Sequence, residues 1–429
     1  MKKVRFFALA AAAGALFACQ KTGNTDNTTA PATKGVPTPV TLSVNFNANA
    51  GSSLSRALNG DYEAGSTAEN KVSTIEFYVF NSAGAIDPVA GSGTGYIKFT
   101  DGILTKQVIV SSGAAQFVAL ANMNLGPLAA GKSLADLKAM LSVAKFSMTA
   151  GSENARTIPT AGFEMSGEAS ATIVAESVTN SVSIAVSRLV SKFNPPTFTG
   201  ATLNLSDDQI ASVWGAGTTV TNTGLTFNPL GWVVINGLDK SGILFTGNAA
   251  GNDTDPKNVA WNTWDATGKS YLLSAFDGTG SYTANYSGYG TSAAGFLNFG
   301  TTVNNQDRVY AYENAPVAIT VDGQSGYDPQ SVYAFIIKGD LIVDGDAANT
   351  NGLNRTRYWR VDLVRDNDYH ILRNCSYHVN INSISTPGWA TPEAAEEAPD
   401  IIPTANDTAI NITVIVNPWR INEVDDGQM

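Results

Sequence analysis

"VTLSVNFNA", residues 40–48, decides the fold class. Val40, Leu42, Val44 and Phe46 alternate with Thr41, Ser43, Asn45 and Asn47. A period of two places every second side chain on one face, the signature of a strand with one face in a core. The same pattern returns at the far end of the chain. In "INITVIVNPW", residues 410–419, Ile410, Ile412, Val414 and Val416 alternate with Asn411, Thr413, Ile415 and Asn417, and Pro418 and Trp419 follow.

Between these two segments, strand-like runs recur with turn signals between them. They are "KVSTIEFYVFN" (71–81), "QVIVSS" (107–112), "AAQFVALANM" (114–123) and "SVSIAVSRLVSKF" (181–193) in the first half. The second half has "GWVVING" (231–237), "KSYLLSAF" (269–276), "RVYAYEN" (308–314), "SVYAFIIKGDLIV" (331–343), "RYWRVDLV" (357–364) and "SYHVNINSIS" (376–385). Leu134, Leu137, Met140 and Leu141 have helical spacing, so 133–146 is expected as a helix. Short strands at turn-punctuated intervals predict an all-β protein with minor helix, in two β-sandwich domains. Pro195 and Pro196 cannot continue a paired central strand and mark a boundary near 195–206.

The 429 residues carry a formal charge of −11 and 40 glycines, which argues against nucleic-acid binding. "MKKVRFFALAAAAGALFAC" has a basic start and an apolar run too short to span a bilayer of about 20 helical residues, and reads as a secretory signal. It ends in "LFAC", a lipobox in which the Cys19 thiol takes a diacylglycerol; an ordinary signal with a chance cysteine is the bland reading. Cys375 is the other of 2 cysteines, and in its strand-like setting a buried, inert thiol is expected. Residues 20–39 are rich in Thr, Asn and Pro and read as a tether. Residues 386–404, acidic and proline-rich, read as a linker that at about 3.3 Å per residue reaches tens of ångströms.

Chemistry is sparse. His370 and His378 lie in no HExxH and beside no candidate nucleophile, and there is no GxSxG, P-loop or CxxC. "DGDAANTNGLNR", 344–355, departs from a calcium loop at Ala348 and Arg355. Neither a catalytic residue nor a metal ligand nor a cofactor is expected. One basic residue stands out: Arg56, in "SLSRALNGDYEAGS" (53–66), is isolated between Lys34 and Lys71. A glycine-flanked loop of small polar residues around a lone Arg is what a trypsin-like protease cuts; a plain surface Arg is the alternative.

Taken in order, "LFAC", a strand followed by a lone Arg, "SRLVSKF", "FIIKGDL", "RNCSYHVNINSI" and the terminal "INITVIVNPW" resemble the fimbrillins. These are the subunits of the type V pili of Bacteroidia, and the likeness is greatest to the shaft subunit of short fimbriae. The ending is the most specific element. The resemblance implies sandwiches of transthyretin- or immunoglobulin-like type and a pilin polymerised by donor-strand exchange, supporting adhesion and biofilm formation. It implies a signal peptide at 1–18, a propeptide at 19–56, domains at 57–200 and 201–385, a linker at 386–408 and a donor strand at 409–429. Cys19 would be lipidated, with palmitate, and the precursor held at the outer membrane. An Arg-specific, trypsin-like protease would cut between Arg56 and Ala57. The removable strand would present Val40, Leu42, Val44 and Phe46, and the donor Ile410, Ile412, Val414, Val416 and Trp419. Implied partners are further copies of the chain, anchor and tip subunits, and a host or bacterial receptor. A lipid-anchored glycan-binding protein, or an anchor or tip subunit, are the competing readings.

Overall fold

The computed structural model describes residues 35–46, 63–100, 103–143, 158–177, 179–237, 240–244, 296–297, 299, 308–314, 316–364, 369–397, 400, 402–403 and 410–420. The first half supplies β1 (Pro37–Asn45), β2 (Glu63–Ala64), β3 (Thr74–Asn81), β4 (Tyr96–Thr100), β5 (Thr105–Ser111), β6 (Gly113–Ala121), β7 (Leu141–Val143), β8 (Met165–Ile173), β9 (Ser181–Ala185) and β10 (Ser187–Arg188). The second half continues with β11 (Val190–Phe193), β12 (Thr202–Leu203), β13 (Leu225–Ile235), β14 (Lys240–Gly242), β15 (Val309–Tyr312), β16 (Ala318–Val321), β17 (Gln324–Tyr327), β18 (Ala334–Val343), β19 (Arg355–Asp362), β20 (Cys375–Ile384), β21 (Ile402–Pro403) and β22 (Ile410–Arg420). Short helices α1 (Leu134–Lys138), α2 (Asp207–Trp214) and α3 (Pro392–Glu397) interrupt them. The fold is all-β.

The first sandwich packs the sheet β5–β1–β9 against the sheet β10–β8–β6–β3–β4. Val40, Leu42, Val110 and Ile184 from one sheet meet Phe77, Val79, Phe117 and Ala119 from the other. The larger sheet is apolar on both faces. Tyr78, Phe80, Val118 and Leu120, on the opposite parity, enter a second core shared with the rest of the subunit. This is why "IEFYVF" and "FVAL" read as near-continuous apolar runs: each strand is a wall between two cores. The second core lies between the sheet β15–β11–β20–β22–β2, with β12 beside β20, and the sheet β13–β18–β19. Phe193 is stacked between Tyr377 and Tyr333, with centroids at 5.1 and 5.7 Å, and Trp232 meets Phe335 edge-on at 5.1 Å.

Three expectations need correction. The boundary expected near 195–206 falls earlier, inside "SRLVSKF". Ser187 and Arg188 pair with β8, whereas Val190–Phe193 pairs with β15 and β20, so the chain changes sandwich at Leu189 and not near 200. Of the helix expected over 133–146, the described residues form only α1, started by a Ser133–Asp136 capping box. Leu141–Val143 instead pairs with Lys240–Gly242, a tertiary contact that overrides local helical spacing. The acidic segment expected as a linker from 386 is folded against β19. Trp389 and Tyr358 exchange backbone hydrogen bonds of 2.8 and 3.0 Å, Arg360 Nη1 donates to Glu396 O at 2.8 Å, and Ala395 is buried. The strand expected at 269–276 lies outside the described residues.

A buried polar knot joins the two sandwiches. The turn before β3 brings in Glu69, whose Oε2 accepts from Ser66 N at 2.6 Å and whose Oε1 accepts from Tyr310 Oη at 2.8 Å. Lys192 and Arg308 lie 3.5 and 3.4 Å from the same carboxylate. Arg188 donates to Glu69 O, Asn70 Oδ1 and Asn374 Oδ1 at 3.2, 2.7 and 3.1 Å. Glu69, Arg188 and Lys192 are all fully buried. Burial lowers the Arg188 pKa to about 9, with Glu69 opposing the shift. For Glu69, burial pushes upward, but Lys192, the Ser66 N–H, Tyr310 and Arg308 together hold its pKa below the usual value of 4.5.

A carboxyl with a depressed folded pKa contributes stability above its unfolded pKa and loses it as pH falls through the folded one. Glu69→Gln is therefore expected to lower stability at pH 7 by several kcal/mol, on the order of 3–5. The gap to wild type should narrow steadily below about pH 4.5. Urea denaturation of both proteins at pH 7 and pH 3 checks this; a gap that does not change with pH would show that Glu69 is not held ionised.

Candidate functional site

The feature that sets this fold apart from a closed sandwich is where β1 sits. It is the middle strand of its sheet, antiparallel to β5 from Pro37↔Ser111 to Ser43↔Thr105 and parallel to β9 from Thr41↔Ser181 to Asn45↔Ala185. Thr38, Val40, Leu42 and Val44 point inward and are buried, and Phe46 packs at the end of the same core. The alternation read at residues 40–46 is thus the burial pattern of the strand.

Two prolines inside a central strand would normally break it. Here Thr41 N–H donates towards β9, to Asn180 O at 2.9 Å, and Val44 N–H donates towards β5, to Leu104 O at 3.0 Å. Odd-numbered nitrogens therefore face β9. Pro37 and Pro39 are odd-numbered and precede the first β9 pair, so no ladder bond is lost at either.

Withdrawal of β1 would leave two unpaired strand edges, on β5 and β9, flanking an apolar trough floored by Phe77, Val79 and Phe117. The rim of that trough is also apolar. Val36, Ile109 and Val174 are exposed near the start of β1, since Ile109 is opposite Pro39 and Asn180 Nδ2 donates to Val174 O. Ile103 and Leu104 are exposed near its end. Asp346, in the loop compared above with a calcium site, spends its carboxylate on Thr350 Oγ1 and the N–H groups of Asn351 and Leu353. His378 sits 3.2 Å from Asn194 Nδ2 in a structural contact, and Cys375 is buried.

The C-terminal strand is not held out on a linker. β22 is docked antiparallel on β20 of its own subunit, from Cys375↔Pro418 to Ile381↔Ile412, with an irregularity before Ser383↔Asn411 and Ile384↔Ile410. Ile412 and Val414 are half-buried against the second core, while Ile415 is 40% exposed. Of the other residues expected to act in this strand, Ile410 and Val416 are placed opposite Ile384 and Tyr377, and Trp419 opposite Glu63. The two-residue strand β2 and the Glu69 knot had no sequence signal: two residues are too few for periodicity, and Lys192, Arg308 and Tyr310, which surround Glu69, lie more than a hundred positions away. Cys19, Arg56 and Ala57 lie outside the described residues.

Two family models match this chain. "Major fimbrial subunit protein (FimA)" matches residues 38–230, starting inside β1, and "Major fimbrial subunit protein type IV, Fimbrillin, C-terminal" matches 354–425, through β22. The chain belongs to the fimbrillin family. A fimbrillin is a structural subunit of a cell-surface fimbria, which assembles with other fimbrial subunits and is not an enzyme. Among solved structures, a candidate cell adhesion protein from Bacteroides eggerthii aligns at TM-score 0.49 and 17% identity, over 90% of this chain and 97% of that one. A fimbrilin (FimA) from Porphyromonas gingivalis aligns at 0.47 and 18%, over 90% and 98%. The tip fimbrial protein Mfa3 from the same organism, with a C-terminal truncation, aligns at 0.40 and 10%, over 89% and 100%. No curated protein matches the chain.

The burial of β1 in this fimbrillin makes a direct prediction. Leu42 is fully buried in the first core. Leu42→Ala should lower the stability of the intact precursor by about 2–5 kcal/mol through lost burial and a residual cavity. Denaturant unfolding checks it, and a change below about 1 kcal/mol would mean that β1 adds little to the sandwich.

Proposed function

We propose that the chain is the shaft subunit of its fimbria and that β1 is a placeholder for a strand of the next subunit. The precursor is exported as a lipoprotein through Cys19 and held at the outer membrane. A trypsin-like, Arg-specific protease cuts between Arg56 and Ala57, β1 departs, and β22 of another copy enters between β5 and β9. Anchor and tip subunits end the polymer, and its surface meets host or bacterial receptors in adhesion and biofilm formation.

One observation carries this reading. The same alternating pattern occurs twice, once in the central strand β1, whose inward face is buried, and once in β22, where the described inward residues are only half-buried. In β1, Val40 and Leu42 are fully buried and Val44 is 7% exposed. In β22, Ile412 and Val414 are only half-buried. Four aliphatic side chains moved to full burial contribute about 6–12 kcal/mol gross, at about 1.5–3 kcal/mol each. Leaving a position where Ile412 and Val414 are half-buried costs less than that, so transfer of β22 to an open trough is downhill. Main-chain bonds to β5 and β9 supply affinity, and alternate pockets supply register.

The proposal is tested by maturation. Sheared surface filaments should begin with "ALNGDYEAG", and Arg56→Ala should accumulate as a monomeric precursor. N-terminal sequencing and size-exclusion chromatography read both outcomes. Filaments that begin at Cys19, or that form normally from Arg56→Ala, would contradict the proposal.

A further inference from the structure

β22 has a second neighbour. On the side away from β20, among the described residues, it pairs only with β2, in parallel, through Glu63↔Trp419 and Ala64↔Arg420. This contact falls at a decisive place. A terminal strand frays from the chain end, and Trp419–Arg420 is the end nearest the C-terminus. The ladder to β20 ends at Cys375↔Pro418, so Trp419 and Arg420 lie beyond it. With nothing on its outer side, this end would be the first to peel.

β2 does not lie there by its own strength. A two-residue strand has little independent stability. It runs directly into the turn fastened by Asn70 Nδ2 on Gly65 O at 2.9 Å, by Ser66 N on Glu69 Oε2 at 2.6 Å, and by Arg188 on Glu69 O and Asn70 Oδ1 at 3.2 and 2.7 Å. The buried knot therefore aims β2 at the end of β22. Upstream, β2 is connected through Arg56 to β1, which is anchored in the first sandwich. In the intact chain β2 is covalently tethered at both ends, to β1 and to the knot. After a cut at Arg56 only the downstream tether remains, and residues 57–64 become a free terminus whose ordering costs conformational entropy.

We propose that β2 is a latch on the C-terminal strand, fastened by the Glu69 knot and loosened by the cut after Arg56. The consequence for assembly rests on the strand-exchange reading above. One cleavage then does two things: it frees the trough that accepts a strand, and it weakens the hold on the strand to be donated. A precursor keeps both closed, which prevents premature pairing of its edges.

Hydrogen-exchange mass spectrometry tests the latch on the whole precursor. Glu63→Pro combined with Ala64→Pro removes whichever of these two N–H groups faces β22, since successive N–H groups of a strand point to opposite sides, and leaves Glu69, Arg188 and Lys192 untouched. Peptides spanning 410–420 should exchange about tenfold faster, the size expected when one or two net backbone hydrogen bonds are lost. Peptides from β3 and β6 should be unchanged, which shows that the variant is folded. Wild-type precursor cut by trypsin at low concentration, before filaments form, should show the same acceleration and needs no substitution. Unchanged exchange in both samples overturns the proposal. Faster exchange with no shortening of the lag before filaments appear also overturns it, since release would not be limited by β2. Faster exchange with no filaments from any cut sample supports the latch and contradicts strand exchange instead.

Discussion

A strand in the middle of a sheet has hydrogen bonds to make on both sides, and β1 makes them with β5 on one side and β9 on the other. The first sandwich depends on that double pairing. β5 and β9 are far apart in sequence, and among the described residues they do not pair with each other and β1 alone joins them as one sheet. Its inward side chains also close the core over Phe77, Val79 and Phe117. Whatever occupies this position must be extended, apolar on alternate residues and able to pair along both edges. β22 carries the same alternation, which makes it the proposed occupant.

The rest of the subunit is insulated from the fate of β1. The larger sheet of the first sandwich has its back to a separate core that contains Trp232, Phe335 and Tyr377, to which β1 contributes nothing. The Glu69 knot crosses the junction on that side, joining the turn before β3 to β10, β11 and β15. The proposed departure of β1 relies on this division of labour. In that proposal one core is opened and refilled, while another, tied across the junction by the buried charges around Glu69, keeps the subunit whole.

Much of this was legible in the sequence where side chains alternate against a single core. Val40 to Phe46 and Ile410 to Val416 announced strands, and the inward set of β1 matched its buried set. The legible part also included most central strands, from "KVSTIEFYVFN" to "SYHVNINSIS". What could not be read was long-range pairing. "SRLVSKF" looks like one strand, but its two halves join different sheets because their partners, Met165 and Tyr377, lie on different walls. Residues 141–143 carry helical spacing yet are captured by Lys240–Gly242. The acidic stretch after 386 has a linker's composition, but Trp389 and Ala395 bind it to β19 and its neighbours. The latch on β22 was invisible for the same reason: two residues carry no pattern, and only the fold brings Glu63 beside Trp419.

The most direct test of the central claim is electron cryomicroscopy of filaments grown from trypsin-cut precursor, at a resolution that assigns side chains between β5 and β9. The account predicts that this position holds residues 410–420 of a neighbouring subunit, with residues 37–45 gone. Density for Val40 and Leu42 of the same chain in that position, with β22 still on β20, would contradict it.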